Sequence, residues 1–297
     1  MKQIGRLITA MVTPFTENGK VDYEQAKKLA LALLDSGSDG LVVSGTTGES
    51  PTLSQEEKLR LFKEVKAAAG NRGAIIAGTG NYNTEESTEL TKEAEKIGVD
   101  ACLLVCPYYN KPTQEGLYQH FKTIAQSTKL PCIPYNVPSR TITNMSAETT
   151  IRLSQIENII GIKEASGNMD QISKIIQEAR KGFLVWSGND SDTLPILALG
   201  GYGIISVISH LVGKQIKEMI ESFLAGKTEE AARIHRSLLP MVNAMFIVSN
   251  PIPLKYAMNQ VGFRVGKLRL PLWEPDEKSA AVIRETLKKY QIDLPLK

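Results

Sequence analysis

Histidine and cysteine are scarce in this 297-residue chain, with three of each, and this scarcity limits its metal and redox chemistry. His120, His210 and His235 lie far apart, and no carboxylate cluster accompanies them at the spacing of metal ligands. We therefore expect no metal site. His120 and His235 fall in helical patterns, where we expect them to be partly exposed.

The cysteines, an odd number in apolar or proline-bounded runs, provide no framework for disulfide bonds. Cys102 and Cys106 are four residues apart in one run, which predicts that they pack in the core on the same face of a strand. Cys132 follows a proline in another run. This pattern is typical of a protein from a reducing cytoplasm, and we expect a cytoplasmic location.

The chain also lacks an excess of charge and a long uninterrupted apolar segment. Its 35 basic and 32 acidic residues give a net charge of +3 and are interspersed, so no basic stripe predicts a nucleic-acid partner. Two uncharged stretches, 194–213 and 238–254, are interrupted by glycines, asparagines or prolines, which argues against a membrane span. The composition predicts small-molecule partners.

Several catalytic motifs are missing as well. The chain has no P-loop, no GxSxG motif and no recognisable cysteine–histidine pair. The turn after the first apolar run reads TPFTENG, and the GTGNYN segment at 78–83 has no third glycine, so neither carries a dinucleotide fingerprint. These absences argue against a doubly wound open sheet.

Short apolar runs alternate eight times with amphipathic helical patterns, as a closed (β/α)₈ TIM barrel of class α/β requires. Helical patterns start near Asp22, Ser54, Thr84, Thr113, Ser146, Asn168, Ser191 and Gly213. The alternation stops near Gly226, so we expect a catalytic barrel at 1–225 and a C-terminal helical extension at 226–297. The predicted strands are Leu7–Met11, Gly40–Val43, Ala74–Ala77, Ala101–Cys106, Cys132–Tyr135, Ile159–Lys163, Phe183–Ser187 and Gly203–Ile208.

Active sites of such barrels lie at the carboxyl ends of the strands. Lys163 ends the sixth run, where desolvation favours the neutral amine that attacks a carbonyl. The strand pattern equally allows a lysine paired with Glu164. Tyr135 ends the fifth run and could transfer protons, although a tyrosine in this position is more often a core residue.

Two further segments at this edge carry polar residues. Thr46 and Thr47 occupy a glycine-flanked turn whose amides and hydroxyls could hold a carboxylate, or which could be only a connection. Arg140 follows Pro138 and Ser139 in a loop and could bind a substrate carboxylate with two hydrogen bonds. A surface ion pair is the alternative for Arg140.

With GTTGES at 45–50, PYYNKP at 107–112, YNVPSR at 135–140 and GIKEASGN at 161–168, the chain resembles the dihydrodipicolinate synthase family, also called 4-hydroxy-tetrahydrodipicolinate synthases. The resemblance covers nearly the whole chain. It implies that Lys163 forms a Schiff base, that Tyr135 transfers protons, and that Thr46 and Tyr109 complete a hydroxyl relay. It also implies that Thr47 and Ile205 contact pyruvate through the backbone and that Arg140 binds the second substrate.

The resemblance implies a lyase of lysine and diaminopimelate biosynthesis that condenses pyruvate with L-aspartate 4-semialdehyde without any cofactor. In this family the tyrosine matching Tyr109 comes from a neighbouring subunit, so we expect a homotetramer built from tight dimers. N-acetylneuraminate lyase and other 2-oxo acid aldolases of the superfamily are the alternatives. Arg140 favours a small acceptor that carries a carboxylate.

Two departures from the family pattern affect these expectations. The family usually has glycine where Ile142 stands, so we expect a slightly different backbone in the acceptor loop. In lysine-inhibited members the allosteric cleft includes histidines and an asparagine, whereas this chain has Gln55, Lys58 and Tyr82 there and keeps Ser50, Glu86 and Tyr108. Because Lys58 is cationic, we predict weak or absent feedback inhibition by lysine.

Overall fold

The computed structural model describes residues 4–295, and eight parallel strands form its centre. Each strand pairs with the next, and β1 pairs with β8 to close the barrel. The predicted barrel is therefore confirmed. The strands are β1 Leu7–Ala10, β2 Gly40–Val43, β3 Ala74–Gly78, β4 Ala101–Val105, β5 Cys132–Asn136, β6 Gly161–Glu164, β7 Leu184–Ser187 and β8 Gly203–Ser206.

Helices surround this barrel and continue beyond it. Along the barrel they are α1 Tyr23–Asp35, α2 Gln55–Ala69, α3 Thr84–Ile97, α4 Gln114–Gln126, α5 Pro138–Thr141, α6 Ala147–Leu153, α7 Met169–Glu178, α8 Thr193–Ala198 and α9 Ser209–Leu224. Beyond it are α10 Thr228–Met245, α11 Ile252–Gln260 and α12 Glu277–Leu287. Among residues 4–295, none of these helices is long and apolar enough to cross a membrane.

The helix starts follow from capping side chains. Asp22 accepts a hydrogen bond from the amide of Gln25, and Ser54 with Glu57 forms a complete capping box. Thr113, Ser146 and Asn168 cap their helices in the same way. The third helix, α3, begins at Thr84 as predicted, and its cap is the preceding residue, Asn83.

The largest deviations from the predicted boundaries lie around β8. This strand ends at Ser206 instead of Ile208, although Val207 and Ile208 are buried, because the amide of Val207 bonds the Asp190 carboxylate instead of a neighbouring strand. A first helical turn begins at Ser209, and after non-helical backbone at Val212 the main part of α9 runs from Gly213, where the helix was predicted to start. Burial there reflects packing outside the strand ladder, which hydrophobicity alone does not distinguish.

Smaller deviations occur at β6 and before α8. The residue pair Ile159 and Ile160 precedes β6, and Ile159 forms only an isolated bridge with Cys132. Asp190–Asp192 form a short 3₁₀ turn, so α8 begins at Thr193 instead of Ser191. Cys102 and Cys106 are buried in one apolar cluster, as predicted.

The C-terminal helices are attached to the barrel by a buried ion pair. Lys255 on α11 donates hydrogen bonds to Glu49 Oε1 at 2.8 Å and to the carbonyl oxygens of Thr13 and Lys267 at 3.0 and 2.8 Å. Both charged side chains are inaccessible to solvent. Glu49 Oε2 accepts a further bond from the amide of Arg269 at 2.9 Å. The division at residue 225 stays a prediction.

Candidate active site

A cavity of about 260 Å³ opens at the carboxyl ends of the strands. Five of the predicted site residues line it together, from four separate segments of the barrel: Thr46, Thr47, Tyr135, Arg140 and Lys163. Residues from the segment between α10 and α11 complete its wall, among them Ser249 and Asn250. The cavity therefore has the position and composition that the strand pattern predicts for an active site.

Lys163 lies next to Tyr135 because the two residues are Cα partners in the pairing of β5 with β6. Its Nζ atom is 4.2 Å from the centroid of the tyrosine ring. The lysine is only 5% exposed. Burial lowers the pKa of Lys163 to about 7, opposed by the carboxylate of Asp190 and assisted by Arg140. A large fraction of this amine is therefore neutral at physiological pH.

The alternative of an ion pair between Lys163 and Glu164 does not match the geometry. Successive residues of a strand point to opposite faces, and the carboxylate of Glu164 is held outside the barrel interior. It accepts hydrogen bonds from Asn136 Nδ2 at 3.1 and 3.2 Å, from the Ser166 amide at 2.7 Å and from Gln171 Nε2 at 3.3 Å. These neutral donors satisfy the hydrogen-bonding oxygens of Glu164, and Lys163 faces the cavity.

Tyr135 is buried against the amine, and its phenol is kept in the neutral form. Burial raises the pKa of Tyr135 to about 12, while the nearby charge of Arg140 acts in the opposite direction. A neutral phenol next to a partly neutral amine provides a proton donor beside a nucleophile. This pair is the chemically most distinctive feature of the cavity.

The turn that follows β2 presents Thr46 and Thr47 to the cavity. Glu49 ends this turn in a left-handed conformation, with φ 57°, and its carboxylate forms the buried ion pair with Lys255. The hydroxyl of Thr13 donates to the carbonyl oxygen of Gly48 at 2.6 Å. The ion pair of Glu49 with Lys255 and the hydrogen bond from Thr13 thus fix the conformation of the turn. Thr47 is almost fully buried.

Arg140 lies on α5, a single helical turn at the rim of the cavity. Its Nη2 atom donates a hydrogen bond to the main-chain oxygen of Asn250 at 3.0 Å, and the side chain is otherwise exposed. No ion pair with an acidic side chain occupies it among residues 4–295. Ile142, just after α5, adopts φ 61°, a conformation that favours glycine. The loop keeps a glycine-type backbone despite the isoleucine.

Two predicted site residues do not line this cavity. Ile205 is buried in the barrel interior, in the same apolar cluster as Tyr135. Tyr109 is 92% exposed and has φ 73°, so its side chain points away from the cavity of its own chain. An aromatic side chain held outward in a strained backbone conformation is poorly explained by the isolated chain.

Sequence reasoning missed two polar residues of the site. Asp190 is buried, its charge acts on Lys163, and it accepts hydrogen bonds from the Ser206 hydroxyl at 2.5 Å and from the Val207 amide at 3.1 Å. Asn250 lines the cavity and donates a hydrogen bond from Nδ2 to the Thr47 hydroxyl at 2.9 Å. Asp190 was detectable in the SGND segment after the seventh run, but nothing local marks Asn250.

The histidines take no part in the cavity, and the expected exposure of His120 is wrong. His120 is buried because Phe121 and the helices around it cover the ring, and its Nδ1 atom is 2.8 Å from the Thr84 hydroxyl. His210 is fully buried, and burial lowers the pKa of each of these two histidines to about 4. Within residues 4–295, no group of three or more potential metal ligands is close enough to hold an ion.

Comparison with known proteins shows the family of the chain. A model of the Dihydrodipicolinate synthetase family matches residues 3–290. This chain belongs to that family. A 4-hydroxy-tetrahydrodipicolinate synthase from Dehalococcoides mccartyi is 70% identical to it over 297 residues, which is 100% of both chains. A second, from Moorella thermoacetica, is 56% identical over 288 residues, or 96% of this chain and 99% of the relative.

Solved structures of the family have the same fold. A dihydrodipicolinate synthase from Bacillus anthracis is 46% identical, covers 98% of this chain and 100% of its own, and superposes with a TM-score of 0.95. A lysine-bound one from Cyanidioschyzon merolae is 46% identical, covers 96% and 97%, and has a TM-score of 0.94. The predicted family, lyase class and 4-hydroxy-tetrahydrodipicolinate synthase activity, with its place in lysine and diaminopimelate biosynthesis, are confirmed.

Proposed function

We propose that the Lys163 amine forms a Schiff base with pyruvate and that the resulting enamine condenses with L-aspartate 4-semialdehyde. The observation that carries this proposal is the buried amine of Lys163 at 4.2 Å from the Tyr135 ring, in a cavity that ends at Arg140. A charged ammonium cannot attack a carbonyl, so the lowered pKa of Lys163 provides the reactive form near neutral pH.

The reaction then proceeds in three steps. The neutral amine adds to C2 of pyruvate, and water leaves as the iminium forms. Loss of a methyl proton, relayed by Tyr135 with Thr46 and Tyr109, gives the enamine. The enamine carbon attacks the aldehyde, and the amino group of the semialdehyde closes on the imine carbon, which releases Lys163 and the cyclic product. One water is released for each pair of substrates.

We assign substrate binding to residues on two sides of the amine. The amide of Thr47 holds the carboxylate of pyruvate, the backbone of Ile205 provides a further contact from the end of β8, and Arg140 receives the carboxylate of the semialdehyde as a bidentate partner. Arg140 suits this task because its guanidinium lies at the rim and is anchored on one side by the Asn250 main-chain oxygen. A sugar-acid aldehyde has no need of a cation at that position.

The exposed side chain of Tyr109 supports an oligomer. We propose that this residue completes the hydroxyl relay of a neighbouring subunit in a tight dimer, within a homotetramer. Its 92% exposure and left-handed backbone fit a side chain that is placed for contact with another copy of the chain. We also propose a cytoplasmic location, in agreement with three buried free cysteines.

The test is chemical trapping followed by a choice of acceptors. The protein is incubated with pyruvate, reduced with borohydride, weighed intact and digested to locate the adduct. We expect one pyruvate-derived adduct on the peptide that contains Lys163, and none in Lys163→Met. The untreated enzyme is then assayed with L-aspartate 4-semialdehyde and with N-acetylneuraminate. An adduct elsewhere would refute the role of Lys163, and turnover of N-acetylneuraminate alone would refute the acceptor.

A further inference from the structure

Asn250, in the segment between α10 and α11, contacts two separate parts of the site. Its side-chain Nδ2 donates to the hydroxyl of Thr47 at 2.9 Å, while its main-chain oxygen accepts from Arg140 Nη2 at 3.0 Å. These partners are 203 and 110 residues away in the sequence. One residue of the C-terminal extension therefore touches both the turn assigned to pyruvate and the arginine assigned to the acceptor.

The other end of this side-chain amide has no partner. Asn250 is 5% exposed, and its Oδ1 atom is buried without a hydrogen bond to any of residues 4–295. If the amide were rotated by 180°, the nitrogen would be the unpaired atom instead, so the deficit does not depend on its orientation. Buried polar atoms of this kind lower stability and are rare in proteins.

A purely structural explanation of Asn250 is therefore weak. Asn259 on α11 provides the contrast, because both ends of its amide are satisfied, by the amide of Val265 at 2.8 Å and the carbonyl oxygen of Gly266 at 3.0 Å. Asn259 simply connects a helix to a loop. Asn250 has one bond, to a hydroxyl that faces the reaction cavity.

We propose that Asn250 is a positioning residue that sets the affinity for the 2-oxo acid through Thr47. This inference rests on the proposed function, since it assumes that Thr47 holds the pyruvate carboxylate. The hydrogen bond fixes the rotamer of Thr47 and with it the backbone of the turn. The contact of Asn250 with Arg140 is made by its main-chain oxygen, which no side-chain substitution removes. A substitution of the Asn250 side chain should therefore change the affinity for pyruvate without changing the affinity for the semialdehyde.

The experiment measures KM for each substrate in Asn250→Ala. Loss of one buried hydrogen bond corresponds to a rise of about three- to tenfold in the KM for pyruvate, with the KM for L-aspartate 4-semialdehyde unchanged. The pyruvate concentration that gives half-maximal borohydride trapping should rise by the same factor. Asn250→Ser has a side chain too short to reach Thr47 and should show the same split if the alanine variant does not fold.

A double-mutant cycle tests whether the effect passes through Thr47. In a Thr47→Val background, Asn250→Ala should change the KM for pyruvate much less than in the original chain. Asn259→Ala is the matched control, which perturbs the same extension and should leave both KM values unchanged.

Additive effects in the cycle, or equal changes in the two KM values, would overturn the assignment of Asn250. Failure of the original chain to form the adduct at Lys163 would instead refute the proposed function. Normal trapping with an unchanged pyruvate KM in both Asn250 variants would refute only the role of Asn250.

Discussion

The environment of the Lys163 amine sets the pH range in which this amine is neutral. Because burial lowers the pKa of this amine to about 7, the neutral fraction increases as the pH rises through 7. We expect the initial rate of adduct formation with pyruvate to fall about tenfold per pH unit well below that value. The initial rate of adduct formation is measured by rapid-quench trapping with borohydride, at about seven pH values between roughly 5.5 and 8.5.

Asp190 provides the control for this pH profile. Its carboxylate favours the charged form of Lys163, so it raises the pKa of the amine against the effect of burial. Asp190→Asn should therefore move the midpoint of the profile to lower pH. A midpoint that stays in place or moves to higher pH would show that the profile reports another group.

Lys58 belongs to a cleft that extends from the active site toward Tyr82 and Tyr108. Burial lowers the pKa of Lys58, while the carboxylate of Glu86, which faces the same cleft, acts in the opposite direction. An ammonium group here repels the ammonium groups of free lysine. We expect little inhibition by lysine at micromolar concentrations and stronger inhibition of Lys58→Ala, measured from initial rates.

The control for Lys58 is Lys63, an exposed residue of the same helix. Lys63→Ala removes the same charge from α2 outside the cleft and should leave the response to lysine unchanged. Potent inhibition of the original chain would contradict the prediction, as would equal responses of the two variants.

At the scale of secondary-structure elements, the ion pair between Glu49 and Lys255 connects the turn after β2 to α11. Removal of one partner leaves a buried charge without compensation, so Lys255→Met should lower the free energy of unfolding by about 3–5 kcal/mol. The double variant Glu49→Gln with Lys255→Met removes both charges and should recover part of the loss. Urea unfolding at a fixed protein concentration measures each value.

An exposed pair on α12 provides the comparison. Lys288 and Glu285 lie 2.6 Å apart at the surface, and Lys288→Met should have little effect on unfolding. If Lys255→Met and Lys288→Met lowered the free energy of unfolding by similar amounts, the buried ion pair between turn and extension would contribute little to stability.

The order and the approximate positions of the strands were largely predictable, because a parallel strand buried on both faces appears in the sequence as a short apolar run. The same period placed Lys163 and Tyr135 at the ends of adjacent strands, and the register of β5 with β6 makes them neighbours. The ends of β6 and β8 were not predictable. Ile159 and Val207 are as buried as strand residues, yet their hydrogen bonds differ.

Contacts between residues that are far apart in the sequence could not be predicted from local patterns either. Asn250 lies between Ser249 and Pro251 in an uncharged segment, and only the docking of the C-terminal helices brings it to Thr47. The outward side chain of Tyr109 was predictable only from resemblance to the family. Its exposure becomes visible once the chain is folded.

At the scale of the whole molecule, the position of Tyr109 predicts complementation between two inactive variants. Lys163→Ala and Tyr109→Phe subunits are mixed after reversible dissociation and then reassociated. A mixed dimer has one site with an intact Lys163 and an intact Tyr109 from the other subunit, so about a quarter of all sites in an equal mixture should be active. The rate of condensation, compared with each variant alone, measures the recovery.

Two controls complete this test. A mixture of Lys163→Ala with Lys163→Met has no intact lysine and should stay inactive. If Tyr109 acted within its own chain, the first mixture would show no recovery either, and the proposed shared site would be wrong.

The long separation between the turn after β2 and its partners also sets a time at which the enzyme can start to work. Glu49 bonds the amide of Arg269, 220 residues later, and Thr47 bonds Asn250. A ribosome needs roughly 10 to 40 seconds to add about 200 residues. During the later part of that interval the nascent chain already contains Lys163 but still has an unfinished pyruvate site and an uncompensated Glu49. We therefore expect catalysis only after residues 250–269 have been synthesised and have docked against this turn.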